Sequence, residues 1–251
     1  MHLYRNIARE RSSGSPMHAE AAAPLVFIVE SDASVREALE SLIRAEGWRS
    51  LAFASAGEFL NHPRVAGPSC LLLEVHLPDL HGLELQQRVA DRSDMPIIFI
   101  TGDTDIQTVV NAMKAGALEY LAKPFRNDEL LCAISFALER SQAVLSREAA
   151  ARTVRDCYAS LSGRERQVME LVASGWLNKQ IGAALGVSEI TVKVHRSKMT
   201  RKMKAASVPD LVMKAKTLGL KNVPMPNRSF FRSFEGFASA PIHLPQAHAS
   251  T

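Results

Sequence analysis

Two sets of residues in this 251-residue chain have types and spacing suited to chemistry. The first follows short apolar runs. Leu25-Val26-Phe27-Ile28-Val29 leads into Glu30, Ser31 and Asp32, and Cys70-Leu71-Leu72-Leu73 leads into Glu74. Ile97-Ile98-Phe99-Ile100 leads into Thr101, and Tyr120-Leu121-Ala122 leads into Lys123-Pro124. All-apolar runs of this length read as strands of a parallel sheet covered on both faces. Open parallel sheets bind ligands in the crevice at the carboxyl ends of their strands. The order therefore predicts one crevice lined by carboxylates, a hydroxyl and an ammonium. The second set is cationic and polar: Lys179, Thr191, Lys193, Arg196 and Lys198, with Val194 among them. It spans two helical segments separated by Gly186, and a helix–glycine turn–helix with a basic outer face is a DNA-reading unit.

The elements that must position these residues are legible from periodicity. Val35, Ala38, Leu39, Leu42 and Ile43 recur at helical spacing, and Gly47 stops that helix. A second strand falls near 50–53, and a short helix carries Phe59 and Leu60. The turn residues His76-Leu77-Pro78-Asp79-Leu80-His81-Gly82 precede a helix marked by Leu83, Leu85 and Val89. Ile106, Val109, Val110 and Met113 mark the next helix, Gly116 closes it, and another begins near Asp128. Strand–helix alternation over 25–140 predicts an α/β doubly wound, five-stranded parallel sheet with right-handed crossovers.

Helical composition continues through 141–158, read as a helical linker, into an all-α four-helix module at 159–222. Ser162 and Glu165 make a capping box for its first helix, and Gly175 ends that helix. Ser188 caps its third helix, read as Glu189–Met203. Ile190, Met199 and, in part, Val194 are expected to point inward. Thr191, Lys193, Arg196, Ser197, Lys198 and Lys202 are expected to point outward. Residues 1–24 (Ser, Ala, Gly and Pro) and 223–251 (Pro224, Pro226, Pro241 and Pro245, with no period) are expected to be disordered.

Charge divides the chain as the motifs do. Residues 25–140 hold 17 acidic against 10 basic residues, a net charge of −7. Residues 160–223 hold 12 basic against 4 acidic, a net charge of +8. An acidic module joined to a basic one fits a regulatory domain attached to a nucleic-acid binder. Three scattered cysteines, Cys70, Cys132 and Cys157, give neither a disulfide framework nor a zinc spacing, which fits a cytoplasmic protein. No apolar run is long enough to span a bilayer, and no partner role for a membrane is expected.

The first module resembles a response-regulator receiver domain. The resemblance implies a phosphoryl-accepting aspartate at 74, two acidic metal ligands at 30 and 31, and a switching Thr at 101. It also implies an aromatic rotamer switch at 120 and a lysine at 123 before a cis proline. Thr101, Tyr120, Lys123 and Pro124 match that pattern; Glu74, Glu30 and Ser31 depart from it. Val35-Arg36 fixes the register, so Asp32 occupies the third position and does not replace the missing second acid. Phosphoryl transfer rests on positioning and charge neutralisation. Magnesium demands near-octahedral oxygen ligands at about 2.0–2.1 Å. Ser31 removes one carboxylate, and Glu74 moves the acceptor by about 1.5 Å, where roughly 1 Å can cost on the order of 100-fold in rate. The longer Glu74 also carries its charge toward Thr101 and Lys123, where a phosphoryl oxygen would lie.

The second module resembles a LuxR-type helix-turn-helix domain in Asn178-Lys179-Gln180-Ile181, Leu185-Gly186-Val187-Ser188 and Thr191-Val192-Lys193-Val194-His195-Arg196. The resemblance implies that helix 189–203 enters the major groove. Lys193 and Val194 would face base edges, and Lys179, Thr191, Arg196 and Lys198 would hold phosphates or the groove wall. Together the modules resemble a NarL/FixJ-type response regulator. That implies a transcription factor, not an enzyme, acting on double-stranded DNA as a homodimer, with a sensor histidine kinase or other protein partner at the receiver. No cofactor is expected. The degenerate acidic pocket points to a receiver that is not phosphorylated. Two alternatives stand beside this reading: a receiver kept as a binding or dimerisation module that sequesters another regulator, and a conventional phosphorelay regulator with unusual acceptor chemistry.

Overall fold

The computed structural model describes residues 23–102 and 105–224. Most of the two terminal segments expected to be disordered lies outside these residues. The chain divides between Ser146 and Arg147 into two compact units.

In the first unit β1 (Leu25–Val29), β2 (Arg49–Phe53), β3 (Ser69–Leu73), β4 (Ile97–Thr101) and β5 (Glu119–Ala122) form one parallel sheet in the order β2-β1-β3-β4-β5. Helices α1 (Ala33–Ala45), α2 (Ala56–Asn61), α3 (Gly82–Arg88), α4 (Ile106–Lys114) and the start of α5 (Asn127–Ala159) complete it. This is the doubly wound sheet that the alternation predicts. Side chains on a strand alternate between faces, and the sheet separates two cores accordingly. Phe27, Val29, Leu71, Leu73 and Phe99 pack with Phe59, Leu85 and Ala112 on one face. Val26, Ile28, Leu72, Ile98 and Ile100 pack with Leu39, Ile43, Leu130, Ile134 and Ala137 on the other.

Register brings the strand ends level. Val29 lies beside Leu73, Leu73 beside Phe99, and Thr101 beside Ala122. Backbone hydrogen bonds run one residue further: Glu30 N to Phe53 O, Glu74 N to Val29 O and Lys123 N to Thr101 O. The three charged residues thus leave the sheet at fixed places. One helix differs from the sequence reading, and the helical linker is joined to its neighbour. The apolar residues that mark α4 are mostly on its outside, with Ile106, Val110 and Met113 exposed and Ala112 buried. The linker is the continuation of α5, a single 33-residue helix.

In the second unit α6 (Gly163–Ala173), α7 (Asn178–Leu185), α8 (Glu189–Lys202) and α9 (Val208–Thr217) surround a core of Val168, Met169, Leu171, Ile181, Val192, Met199 and Leu211. Val154, Cys157 and Tyr158 from the end of α5 pack against the same core. Val223, placed in the tail by composition, is held here: its N–H donates to Ser174 Oγ and its carbonyl accepts from Trp176 Nε1.

Candidate functional site

At the carboxyl edge of the sheet the Lys123 ammonium lies between two carboxylates. Its Nζ is 2.6 Å from Glu30 Oε2 and 2.6 Å from Glu74 Oε2. Glu30 is 1% exposed and Glu74 7%, so neither charge is solvated and each depends on protein donors. Those donors are present. Glu74 Oε1 accepts from the backbone N–H of Val75 at 2.7 Å and of His76 at 3.3 Å. Glu30 Oε1 accepts from Asp32 N at 3.0 Å. The Thr101 hydroxyl donates to the Glu74 carboxylate. Every oxygen of both carboxylates therefore has a hydrogen-bond donor.

Burial pushes the Glu74 carboxyl up, but the bonds from Lys123 and Thr101 outweigh it and hold the group below its ordinary value of 4.5. Burial likewise pulls Lys123 down, and the bonds from Glu30 and Glu74 outweigh it and hold the ammonium above its ordinary 10.5. At neutral pH both groups are charged. Tyr120 packs on Phe99 with ring centroids 6.1 Å apart. Gly82 lets the loop after Glu74 close, since a Cβ there would stand 2.6 Å from Glu74 O.

Asp32 joins this cluster through its backbone N–H, while its side chain is engaged elsewhere and Ser31 is turned to solvent. Asp32 caps α1, accepting from Ser34 N at 2.8 Å and Val35 N at 3.2 Å. Ser31 is exposed, and its carbonyl, with that of Glu30, accepts from Arg36 Nη1. A receiver's divalent cation needs several oxygen ligands with free lone pairs. Here the two carboxylates already share an ammonium, Ser31 supplies no charge, and Asp32 is engaged at the helix cap. Among the described residues no group of three or more His, Cys, Asp or Glu could hold a metal ion. The described residues do not fit that cation.

The second unit presents the other predicted set. Gly186 makes the turn after α7 in the left-handed conformation, φ 66° and ψ 35°, where glycine has no Cβ penalty. Gly182, unremarkable in sequence, is needed for the same crossing, since a Cβ there would stand 2.8 Å from Val187 O. Ser188 caps α8 through Thr191 N at 3.1 Å and binds the Thr191 hydroxyl at 2.8 Å. Lys179, Lys193, Val194 and Lys198 are exposed, while Thr191 and Arg196 are half-buried. Lys193 pairs with Glu189 at 3.2 Å, an exposed contact of little energetic weight. Arg196 Nη1 donates to Asn178 Oδ1 at 3.0 Å, tying α8 to the start of α7.

Two readings of α8 are corrected. Ile190 is 74% exposed, and Val192, fully buried, takes the inward place with Met199. At about 100° per residue, positions two apart lie on nearly opposite sides of a helix, so the inward stripe runs through Val192 and Met199, seven apart. Lys202 does not join the outer face; it is ion-paired to buried Glu165 at 2.6 Å.

Comparison with known proteins agrees with both halves. Residues 26–135 match the response regulator receiver domain, and residues 159–215 match the luxR family of bacterial regulatory proteins. Nodulation protein W of Bradyrhizobium diazoefficiens is 45% identical, over 82% of this chain and 92% of its own length. The transcriptional regulatory protein FixJ of the same organism is 35% identical, over 78% and 97%. The solved structure of the response regulator StyR superposes with a TM-score of 0.71 at 40% identity, covering 78% of this chain and 99% of that one. Sequence motifs, sheet topology, the helix-turn-helix geometry and these relatives agree: the chain belongs to the NarL/FixJ-type response regulators, a receiver domain joined to a LuxR-type DNA-binding domain.

Proposed function

We propose that this response regulator is a sequence-specific transcription factor whose receiver holds its output form through Glu74, without a phosphoryl group. The observation that carries this is the shared ammonium, Lys123 Nζ at 2.6 Å from both Glu30 and Glu74. The Glu74 carboxylate reaches Lys123 and Thr101, the groups that would receive a phosphoryl oxygen. It is ionised there, and among the described residues the cation that phosphoryl transfer requires has no ligand set.

Output is through α7 and α8. Lys193 and Val194 read base edges; Lys179, Thr191, Arg196 and Lys198 hold phosphates or the groove wall. Base contacts set sequence, and phosphate contacts set affinity and salt dependence. The chain acts in the cytoplasm as a homodimer through α4, β5 and α5. Exposed Ile106, Val110 and Met113 on α4 and Phe136 on α5 support that surface, and half-sites about one DNA turn apart follow.

The test is a phosphate-affinity gel after incubation with acetyl phosphate and Mg²⁺, with a second arm using a sensor histidine kinase as donor. No retarded band is expected in either arm. A retarded band that disappears in Glu74→Ala would overturn the phosphorylation-independent reading and leave the DNA-binding assignment intact.

A further inference from the structure

Lys202 sits in the last turn of α8, and the role inferred for it rests on the reading, proposed above, that α8 reads DNA. Its Nζ donates to Glu165 Oε2 at 2.6 Å and to Ser160 O at 3.2 Å. Ser160 is the first residue past the end of α5, and its N–H still donates to Asp156 O and Cys157 O. Glu165 is the third residue of α6 and is 4% exposed. The same Glu165 oxygen accepts from Ser162 N at 2.8 Å, and Glu165 N donates to Ser162 Oγ at 3.3 Å. One ammonium therefore joins the end of α5, the first turn of α6 and the last turn of α8.

Arg166 Nη2 also donates to Ala159 O at 3.1 Å, which ties α6 to the end of α5 but does not reach α8. The neighbours of Lys202 at this end of its own helix pack through apolar side chains. Met199 in α8 and Met203 just past its end are buried in the core. Apolar burial is non-directional, so it holds α8 against α6 without fixing its rotation or slide. A charge-assisted bond is short and directional, and it supplies what the methionines lack. Base readout needs side chains held within about 0.5 Å of their productive positions. A cation anchored at the far end of the recognition helix meets that need.

We propose that Lys202 is a positioning residue for DNA reading. It sets the pose of α8 against α6 and the end of α5 and makes no contact with a phosphate. The end of α5 and the reading helix then move as one body.

A phosphate contact and a positioning contact predict different outcomes. Losing a phosphate contact reduces the slope of log affinity against log salt by about 0.9 and weakens binding to all sequences alike. Losing a positioning contact weakens binding only where geometry matters. The experiment uses the full-length protein. The probes are a duplex selected by the wild type from a random library and a scrambled duplex of equal length. Mobility shifts are read over a salt series for Lys202→Met, Lys202→Arg and Glu165→Gln. Gln at 165 keeps an acceptor for Ser162 N and removes the charge facing Lys202.

Expected are a fall of about tenfold or more on the selected duplex for Lys202→Met and Glu165→Gln, unchanged scrambled-duplex affinity and an unchanged slope. Lys202→Arg is expected to recover most of the loss. Should Lys202→Met melt below the assay temperature, Lys202→Gln, which keeps a neutral donor, takes its place. A slope lower by about 0.9 in the Lys202 variant with Glu165→Gln at wild-type affinity overturns the proposal in favour of a phosphate contact. A parallel fall on both duplexes overturns it in favour of a purely stabilising role.

Discussion

Glu74→Asp is the smallest change that tests how the receiver is held. Asp keeps the charge and withdraws the carboxylate by one C–C bond, about 1.5 Å. The contact to Lys123 Nζ, 2.6 Å in the wild type, then opens to about 4 Å, the limit of an ion pair. A hydrogen bond to a charged group contributes roughly 1.5–3 kcal/mol. Lys123 keeps Glu30 as a partner and has 23% of its side chain exposed, so water replaces part of the loss and the lower figure applies. About 1.4 kcal/mol is a factor of ten in an equilibrium. The balance between output and non-output forms should therefore move about tenfold, and apparent DNA affinity falls with the competent fraction. The assay is a mobility shift on a selected duplex with EDTA present and no phosphoryl donor. Weaker binding is expected for Glu74→Asp, up to about tenfold, the full factor being reached where the output form becomes the minority state. A loss at least as large is expected for Glu74→Gln, which keeps the length and removes the charge. Wild-type affinity in both variants would refute the reasoning, because the carboxylate's reach and charge would then have no bearing on output.

Further outcomes follow from the same geometry. Lys193→Ala should abolish discrimination between selected and scrambled duplexes while the melting curve stays that of the wild type, since the side chain is exposed and its pair with Glu189 lies at the surface; unchanged discrimination would remove Lys193 from the base-reading set. The charged cluster also sets a pH window. Glu74 is held below 4.5, so its contribution is present above that pH and is lost as pH falls through the folded value. Lys123 is held above 10.5, so its contribution is present below that pH and is lost as pH rises through the folded value. Lys123→Met, which leaves two buried carboxylates without their cation, should cost on the order of 3–5 kcal/mol within that window. Denaturant midpoints should show the gap to wild type closing in acid below pH 4.5; a gap that persists there would show that packing, not charge, accounts for the loss.

The receiver sheet was legible because its strands are unbroken apolar runs and its site residues follow them directly. Glu30, Glu74, Thr101 and Lys123 are each named by a strand ending. Asp32 and Ser31 were equally visible, but only the structure shows Asp32 bonded to the first turn of α1 and Ser31 facing solvent. In the second unit the caps Ser162 and Ser188 and the Gly186 turn were legible because their residue types have local causes. The phase of α8 was not. Ile190 and Val194 repeat at four-residue spacing as convincingly as Val192 and Met199 do at seven, and apolarity alone does not say which stripe meets the core.

By itself, the sequence determined what local chemistry dictates: two modules of opposite charge, a parallel sheet, a helix-turn-helix, and the residues at the strand ends. Tertiary structure decided which of those residues meet. Contacts such as Lys123 with Glu30 and Glu74, or Lys202 with Glu165 and Ser160, join positions 37 to 93 residues apart. Their strength comes from burial, and burial belongs to the assembled core and not to any one segment. A lysine in the sequence is a solvated charge until the fold removes its water; here the fold makes one lysine the counter-ion of a buried acidic pair and another the partner of buried Glu165.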